Sequence, residues 1–477
     1  MKRIPVCVIF GLLAAVLLLS GCGKQKIRVT SKQDVEGAIL AQLIIQYLDY
    51  KKETDNISID IVDNTWMYTT ETLRDKLIDG DIDIYPEYTG NGYLWFEGEN
   101  IATWALDRSK ISERLNQLED QENTGLKWLK PAKAENNWAV VINSQVAGKS
   151  LRTMDQFAKY INDNPNGVIV YGSEAFFTRD NAFPLFEKEY GFTLEPEQQR
   201  IVSNPIFAEN LAAFFVENGT IHASMAYTTD RYLEENEKAE QVAGMNIENL
   251  PLVVLDDTME VQPRYYPVPL IRSKILNDCP NIETYLGELF DTINTTTLQK
   301  LNAEAVKKFP DEVAREFLED TFPGFGEDVS GVRLRSNRPP DGFFEFGENV
   351  TIEVINARVT VPAHDIWETV FYVDDKFMKT STLRGWFSVS GGAFNDIEIA
   401  VLNHNDFSNW NNFRKTEDAV YLSEKVTKTQ FDLEINEPGT YHLVLSNRFS
   451  EFSFKEVTLK VYLYFSDKGQ EDTIPAK

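Results

Sequence analysis

The sequence predicts an α/β fold followed by an all-β sandwich, and three observations support this prediction. The chain has 477 residues, more than one hydrophobic core usually organises. From Ile27 to about Gly324, short apolar runs such as ISIDIV and VIVYG alternate with amphipathic stretches such as VEGAILAQLIIQYL, as in folds with mostly parallel sheets. Beyond that point, runs such as EVTLKVYLYF alternate with period two, which is typical of half-buried strands in a sandwich.

A change of composition separates these two parts of the chain. The stretch FPGFGEDVSGVRLRSNRPPDG is rich in Gly, Pro and charged residues, which is typical of a linker. We therefore predict an α/β domain over residues 27–324, a linker over 325–342, a β-sandwich over 343–466 and a tail over 467–477.

The overall charge excludes one class of partner. The formal net charge is -27 and the isoelectric point is about 4.6, so phosphate backbones and acidic lipid surfaces repel the body of the protein. The sequence therefore predicts no nucleic-acid partner.

The first 22 residues read as an export signal. Lys2 and Arg3 precede an apolar run from Ile4 to Leu19, and the run ends in Leu-Ser-Gly-Cys. The run is shorter than a membrane-spanning helix requires. The motif LSGC resembles the bacterial lipobox, which implies that Cys22 is the lipid-attachment residue; the alternative is an ordinary signal peptide with a chance cysteine. The chain is thus predicted to be exported and lipid-anchored, facing the periplasm or the cell exterior, with the lipid as its one membrane contact.

The segment DGDIDIYPEYTGNGYLWF, residues 79–96, carries the strongest functional signal. It combines carboxylates with electron-rich rings at one transition from strand to loop. A quaternary ammonium ion donates no hydrogen bonds and is held by ring faces and a carboxylate, which fits this combination. A metal-binding loop or a solvated acidic turn would have the same composition.

This segment resembles the YPEYTG signature of binding proteins of quaternary ammonium ABC transporters of the osmoprotectant type. Further stretches are similar to that family in order and spacing over residues 27–322: TSKQDVEGAIL, TTETLRDKLIDGDID, SEAFFTRDNAF, NGTIHASMAYTTDRYL, QPRYYPVPLIR and LNAEAVKKFPDEVAREFL. The resemblance implies a two-lobed type II periplasmic-binding-protein fold. Lobe 1 is expected at about 27–133 and 245–324, and lobe 2 at about 134–244.

The resemblance also implies a ligand site. Asp83 and Tyr85 lie in the signature strand and are both implied as ligand-binding residues. Tyr85, Tyr227 and either Tyr265 or Tyr266 are expected to form an aromatic box around the ammonium head. Trp138 either joins the box or lines a lobe.

Polar contacts are implied as well. Arg179 is expected to pair with a ligand carboxylate, unless it pairs with Asp180 or Glu174 at the surface, and Lys32 or Thr70 adds a contact. The loop NTWMYTTE departs from the family pattern, so Trp66 or Tyr68 is expected to narrow the pocket. An arginine that holds a carboxylate favours a betaine over choline.

The resemblance thus implies a solute-binding protein for osmoprotection, not an enzyme, without a cofactor or metal. Its implied partners are glycine betaine, choline or a related compound and an ABC permease with its ATPase subunit. The C-terminal part resembles GOLD-type sandwich domains, with docking to a glycan or envelope partner through Trp386, Trp410 or Asn411 as one role and a spacer as another. An alternative function is a surface sensor or adhesion protein that acts through this sandwich. A hydrolase that uses two acids is the enzyme alternative.

Overall fold

The structure is a computed structural model. It describes residues 25–32, 34–65, 70–96, 107–147, 150–202, 208, 211–213, 219–230, 252–305, 308–326, 350–375, 378–390, 394–412, 419–450 and 453–467. The predicted signal segment with Cys22, most of the predicted linker, and residues 468–477 of the predicted tail lie outside these residues. Within the described part of the chain, no helix is both long and apolar enough to span a bilayer.

Strands and helices alternate through the first domain, as predicted. In chain order they are β1 (Gln25–Thr30), α1 (Val35–Thr54), β2 (Ile59–Asn64), α2 (Thr70–Asp79), β3 (Ile84–Tyr88), α3 (Thr89–Leu94), α4 (Arg108–Glu122), β4 (Leu126–Trp128), β5 (Trp138–Asn143), α5 (Ser144–Ala147), α6 (Met154–Asp163), β6 (Val168–Gly172), α7 (Glu174–Thr178), α8 (Phe183–Tyr190), a 3-10 turn (Pro196–Gln198), β7 (Gln199–Ile201), β8 (Ile221–Tyr227), β9 (Leu252–Val254), β10 (Pro267–Arg272), α9 (Ser273–Asp278), α10 (Asn281–Asp291), α11 (Thr295–Glu304) and α12 (Pro310–Thr321).

Lobe 1 is built on a sheet with the strand order β2-β1-β3-β10-β4. Strand β1 is parallel to β2 and β3, whereas β10 is antiparallel to β3 and β4. Helix α1 packs against this sheet and against α10, α11 and α12. It is apolar almost all round, and its residues from Glu36 to Leu48 are buried, as expected for a helix enclosed on several sides.

Lobe 2 repeats the same plan with the order β7-β6-β8-β5-β9. Strand β6 is parallel to β7 and β8, and β5 is antiparallel to β8 and β9. In each sheet, one antiparallel strand enters from a segment that crosses between the lobes. This arrangement is that of a type II periplasmic binding protein and confirms the predicted fold class.

The two crossing segments, residues 129–137 and 255–266, contact each other. Asn136 N donates to Tyr265 O at 2.9 Å, and Tyr265 N donates to Asn137 Oδ1 at 3.1 Å. The predicted return to lobe 1 at residue 245 is corrected, because β9 still pairs with β5 of lobe 2. Phe325 also belongs to the first domain, not to the linker, because its ring packs 5.2 Å from that of Tyr50.

The C-terminal domain is an antiparallel sandwich, which confirms the all-β prediction. Its elements are β11 (Val350–Val361), β12 (Ile366–Val373), β13 (Met378–Ser390), β14 (Glu398–Asn403), α13 (His404–Asn411), β15 (Tyr421–Leu422), β16 (Lys428–Ile435), β17 (Gly439–Ser446) and β18 (Lys455–Asp467). The two sheets have the orders β11-β18-β13-β16 and β12-β17-β14-β15. Strands β11 and β12 are therefore edge strands.

The sandwich packs on the first domain. Asn356 Nδ2 of β11 donates to Ala305 O at 3.0 Å in a buried contact, and Lys460 Nζ lies 4.5 Å from the ring centre of Phe309. Trp386, which pairs with Lys460 in the strand register, is fully buried. The prediction of Trp386 as a docking residue is therefore corrected, since its ring is inaccessible to a partner.

Candidate functional site

A cavity of about 510 Å³ lies between the two lobes. It opens where the parallel strands β1, β3 and β6 end and where α1 and α7 begin, the usual position of ligand sites in open α/β sheets. Its lining residues come from both lobes, both crossing segments and the sandwich: Lys32, Asp34, Val35, Glu36, Tyr88, Asn91, Asn136, Trp138, Ser173, Arg179, Asn181, Tyr227, Thr229, Asp230, Tyr265, Asn302, Ala305, Glu353, Ile355, Asn356, Ala357, Trp367, Glu368 and Thr369.

Two rings of lobe 2 form one aromatic wall of the cavity. Trp138 at the start of β5 is paired in register with Tyr227 at the end of β8, so both side chains leave the sheet on the same face. Their ring centres lie 4.5 Å apart at 33°, and Phe176 supports Trp138 from behind at 5.6 Å. Burial raises the pKa of Tyr227 well above its usual value, so this ring is a neutral phenol.

Two further rings face the cavity from lobe 1 and from the second crossing. Tyr88 ends β3, and Lys32 Nζ lies 4.8 Å from its ring centre. The hydroxyl of Tyr265 accepts a hydrogen bond from Asn181 Nδ2 at 2.5 Å. The Tyr265 ring packs directly on Gly90, where a Cβ atom would lie 2.5 Å from the ring, so only glycine fits this position.

A buried ion pair lies beneath the rings of lobe 1. Lys32 Nζ bonds to Glu87 Oε1, which also accepts from Asn91 Nδ2 at 2.8 Å and from Tyr88 N at 2.7 Å. Glu87 is fully buried, and its pairing compensates the cost of desolvating two charges. The pair fixes the end of β3 and leaves little net charge at this point of the cavity.

Glu36 is the carboxylate most closely tied to the cavity wall. It accepts from the Tyr88 hydroxyl at 2.5 Å. It also accepts from Asn136 Nδ2 at 2.8 Å and Asn302 Nδ2 at 2.7 Å, so it joins lobe 1, a crossing segment and α11. Burial raises the pKa of Glu36 to about 7; hydrogen bonding with Thr229, Tyr88 and Asn302 opposes this rise, and the charge of Asp34 adds a smaller increase.

Two residues of lobe 2, Arg179 and Asp230, bring charge close to the aromatic wall. Arg179 caps the C-terminal end of α7 and lines the cavity. Asp230 accepts a hydrogen bond from Tyr227 N at 2.5 Å. The wall thus combines ring faces with one guanidinium and one carboxylate.

Three predicted residues do not reach the cavity. Asp83 is bonded to Arg28 and Arg272, so it neutralises structural arginines. Tyr85 is fully buried in the separate apolar cluster behind the lobe 1 sheet, because successive side chains of a strand point to opposite faces. Tyr266 donates to Glu135 Oε1 at 3.1 Å and packs against that same cluster. The structure therefore places the predicted site residues Asp83, Tyr85 and Tyr266 away from the cavity lining.

Other residues of the predicted site lie around the cavity. Five of them line the cavity: Lys32, Trp138, Arg179, Tyr227 and Tyr265. Of the alternatives Tyr265 and Tyr266, it is Tyr265 that belongs to the lining. The predicted contacts Tyr68 and Trp66 lie outside the described residues. Thr70 begins α2, but its side chain is not among those described.

Several residues of the cavity lining are not among the predicted site residues. Tyr88 lies in the YPEYTG motif, and strand alternation places its side chain on the face of β3 opposite to that of Tyr85. Glu36 and Asn181 lie in the family-like stretches TSKQDVEGAIL and SEAFFTRDNAF, whose pattern does not single them out as lining residues. No sequence motif marks Trp367 and Glu368 as lining residues, because their position at the cavity depends on how the sandwich packs on the first domain.

Comparison with known proteins adds independent information. The sequence model of one family, described as the substrate binding domain of ABC-type glycine betaine transport system, matches residues 25–320. The chain is 32% identical over 295 residues to the glycine betaine-binding protein YehZ of Escherichia coli (strain K12), covering 61% of this chain and 89% of that protein. It is 23% identical to the carnitine transport binding protein OpuCC of Listeria monocytogenes, covering 63% and 88%.

Among solved structures, apo YehZ from Escherichia coli is similar to this chain. It has 31% sequence identity and a TM-score of 0.47, with 63% of this chain and 99% of that chain covered. The sandwich lies outside the residues that the family model matches.

Proposed function

Because the chain belongs to the family of substrate-binding domains of ABC-type glycine betaine transport systems, whose members are binding proteins and not enzymes, we propose that it captures a small quaternary ammonium compound in the aromatic cavity and delivers it to an ABC permease. The observation that supports this most directly is the set of four rings, Tyr88, Trp138, Tyr227 and Tyr265, around one cavity.

The energetics of such a box are sufficient. A desolvated cation-π contact contributes about 2 kcal/mol, so three or four rings supply roughly 6 to 8 kcal/mol, close to the ~8.2 kcal/mol of a micromolar complex before ordering costs. A single ring would leave binding in the millimolar range or weaker. The number of rings is therefore what makes the site suitable for a methylated cation.

The charge of Arg179 suggests what the ligand carries at the end opposite its ammonium head. Arg179 lines the cavity close enough to Tyr227 for its charge to act on that phenol, and its guanidinium would donate two parallel hydrogen bonds to a carboxylate. A compound with a trimethylammonium head and a carboxylate, such as glycine betaine, fits both features.

Delivery follows from the two-lobed architecture. A ligand that contacts Tyr88 on lobe 1 and Tyr227 on lobe 2 stabilises the closed arrangement of the lobes. We propose that an ABC permease recognises this closed form. The lipid on Cys22 would hold the protein at the membrane, and a Cys22→Ser variant is expected to leave the membrane fraction; retention there would refute the anchor.

Isothermal titration calorimetry with glycine betaine tests the site. Trp138→Leu and Tyr227→Leu each remove a ring face from the cavity, and each is expected to weaken binding at least tenfold, since the lost contact is worth about 2 kcal/mol. Tyr266→Leu is the matched control, because Tyr266 packs outside the cavity. Unchanged affinity in the cavity variants, or an equal loss in the control, would contradict the assignment.

A further inference from the structure

The turn that follows β8 has two backbone carbonyls available for contacts outside the turn. Asp230 N donates to Tyr227 O at 2.9 Å, so residues 227–230 form a β-turn directly after the aromatic wall. The hydrogen bond of a β-turn uses the carbonyl of its first residue and leaves those of the two central residues, Thr228 and Thr229, for other donors. Thr229 is 1% exposed, so its carbonyl depends on a donor from the protein.

Helix α11 of lobe 1 supplies a donor to each of these carbonyls. Gln299 Nε2 donates to Thr228 O at 2.9 Å, and Asn302 Nδ2 donates to Thr229 O at 2.9 Å. Gln299 and Asn302 are three residues apart on the helix, so their side chains lie on the same face. The helix packs against α1 and α12, which places it in lobe 1. Two hydrogen bonds therefore run directly from lobe 1 to lobe 2.

Asn302 also connects this contact with the carboxylate of the cavity wall. Its Nδ2 lies 2.7 Å from Glu36 Oε2, and a carboxamide nitrogen has two hydrogens, so one goes to Glu36 and the other to Thr229 O. Glu36 in turn accepts from the hydroxyl of Tyr88, a ring of lobe 1. One side chain thus joins the support of Tyr88 to the turn that follows Tyr227.

The position of these contacts relative to the hinge determines what they do. Thr228 N donates to Asn137 O of the first crossing segment at 3.0 Å, so the turn lies beside the hinge. Because α11 belongs to lobe 1 and the turn to lobe 2, separation of the lobes increases the distance between donors and acceptors. A hydrogen bond is lost within a few tenths of an ångström beyond its normal length. The contacts of α11 therefore favour the closed arrangement of the lobes.

We propose that Gln299 and Asn302 form an interlobe latch, which positions the aromatic wall opposite Tyr88 and stabilises the closed, ligand-bound arrangement. The inference rests on the proposed function, because the latch acts on ligand affinity through the rings that it holds together. Both are positioning residues. Gln299 lies outside the cavity lining, so it acts on the ligand only through the turn.

The test measures glycine betaine binding to the full chain and its variants by calorimetry and by stopped-flow tryptophan fluorescence, since Trp138 lies in the cavity. Gln299→Met keeps the length of the side chain and removes the donor, so it is expected to weaken binding about fivefold, the effect of one neutral hydrogen bond. The loss is expected in the dissociation rate, with the association rate within about twofold of the parent chain, because the latch closes after the ligand enters.

Two further variants separate the hydrogen bond from packing. Gln299→Lys keeps a donor within reach of Thr228 O and is expected to bind within about twofold of the parent chain. Lys300→Met, on the exposed face of the same helix, is the matched control and leaves both rates unchanged.

The outcomes separate the latch from the proposed function. If Gln299→Met binds glycine betaine as tightly as the parent chain, or if its loss lies in the association rate alone, the latch is refuted while the proposed function stands. An equal loss in Gln299→Lys would assign the effect to packing and would also refute the latch. If the unmodified chain binds neither glycine betaine nor choline, the proposed function itself fails and the inference fails with it.

Discussion

Protonation of Glu36 provides a sharp test of how the cavity receives a cation. Its pKa is raised to about 7 by burial, so near neutral pH the ligand-free site is partly protonated. A cation in the box favours the ionised carboxylate, so we expect ligand binding to release a proton and to weaken as the pH falls.

The magnitude follows from the pKa. At pH 7 about half of the Glu36 side chains are ionised, whereas at pH 5 the fraction is about 1%. If the cation binds the ionised form, the apparent dissociation constant equals the intrinsic one divided by that fraction, so the affinity should fall roughly fiftyfold between pH 7 and pH 5, or about 2.3 kcal/mol.

Stability of the ligand-free protein should change in the opposite direction. Because the folded pKa of Glu36 lies above its ordinary value of 4.5, the protonated group stabilises the fold fully below about pH 4.5, and this contribution is lost as the pH rises through 7. The total is roughly 3 kcal/mol. Affinity for the cation and stability of the empty protein are therefore expected to have opposite slopes between pH 5 and pH 7.

The assay is calorimetric titration with glycine betaine at pH 5, 6, 7 and 8, in buffers of different ionisation enthalpy, combined with urea unfolding of the empty protein. Glu36→Gln is the control, because it keeps the shape of the side chain and removes the titration. Equal affinities at pH 5 and pH 7, or a Glu36→Gln variant that keeps the pH profile of the parent protein, would refute the reasoning.

Three further predictions concern residues with different roles. Tyr85→Phe is expected to change the affinity for glycine betaine by less than about twofold, because this ring fills the core and not the cavity. Tyr85→Ala is expected to lower the free energy of unfolding by about 3 to 5 kcal/mol in urea titrations. A large loss of affinity in Tyr85→Phe would show that this residue belongs to the site. Arg179→Gln should weaken glycine betaine about tenfold or more, measured by calorimetry, and leave choline unaffected, because choline has no carboxylate to pair; equal losses would contradict the pairing. Asn356→Ala removes the buried hydrogen bond to Ala305 O and is expected to destabilise the chain by about 1 to 3 kcal/mol in urea unfolding; unchanged stability would argue against docking of the sandwich through this contact.

Much of the fold could be predicted because local pattern and global architecture agree. The alternation of apolar runs and amphipathic stretches follows from sheets covered by helices, and the change to period two follows from a sandwich with one solvated face per strand. The position of the return crossing was harder to predict, because it depends on β9 pairing with β5 and not on a local signal.

The choice between Tyr85 and Tyr88 shows where pattern stops being informative. Alternation says that these rings face opposite sides of β3, but all five residues of the strand are buried, so polarity does not identify the side that faces the cleft. The face of β3 that borders the cleft is set by tertiary packing, since the apolar cluster of Tyr85 and Trp128 covers the opposite face of the strand.

The contribution of the sandwich to the cavity lining could not be predicted from local sequence patterns, for a related reason. Trp367 and Glu368 reach the cavity only because β12 is an edge strand and the sandwich is held against α11 and the residues that follow it. The pKa of Glu36 likewise depends on distant segments, because burial raises it and a hydrogen bond from Asn302 of α11 opposes the rise. Such effects belong to the assembled structure.

The central claim is that ring faces in the cavity recognise a positive charge spread over methyl groups. The most direct measurement compares glycine betaine with 3,3-dimethylbutanoate, which has the same shape and carboxylate but a neutral carbon in place of the nitrogen, by calorimetry on the full chain. We expect glycine betaine to bind at least thirtyfold tighter, corresponding to about 2 kcal/mol of cation-π attraction. Equal affinities for the two compounds would contradict the claim.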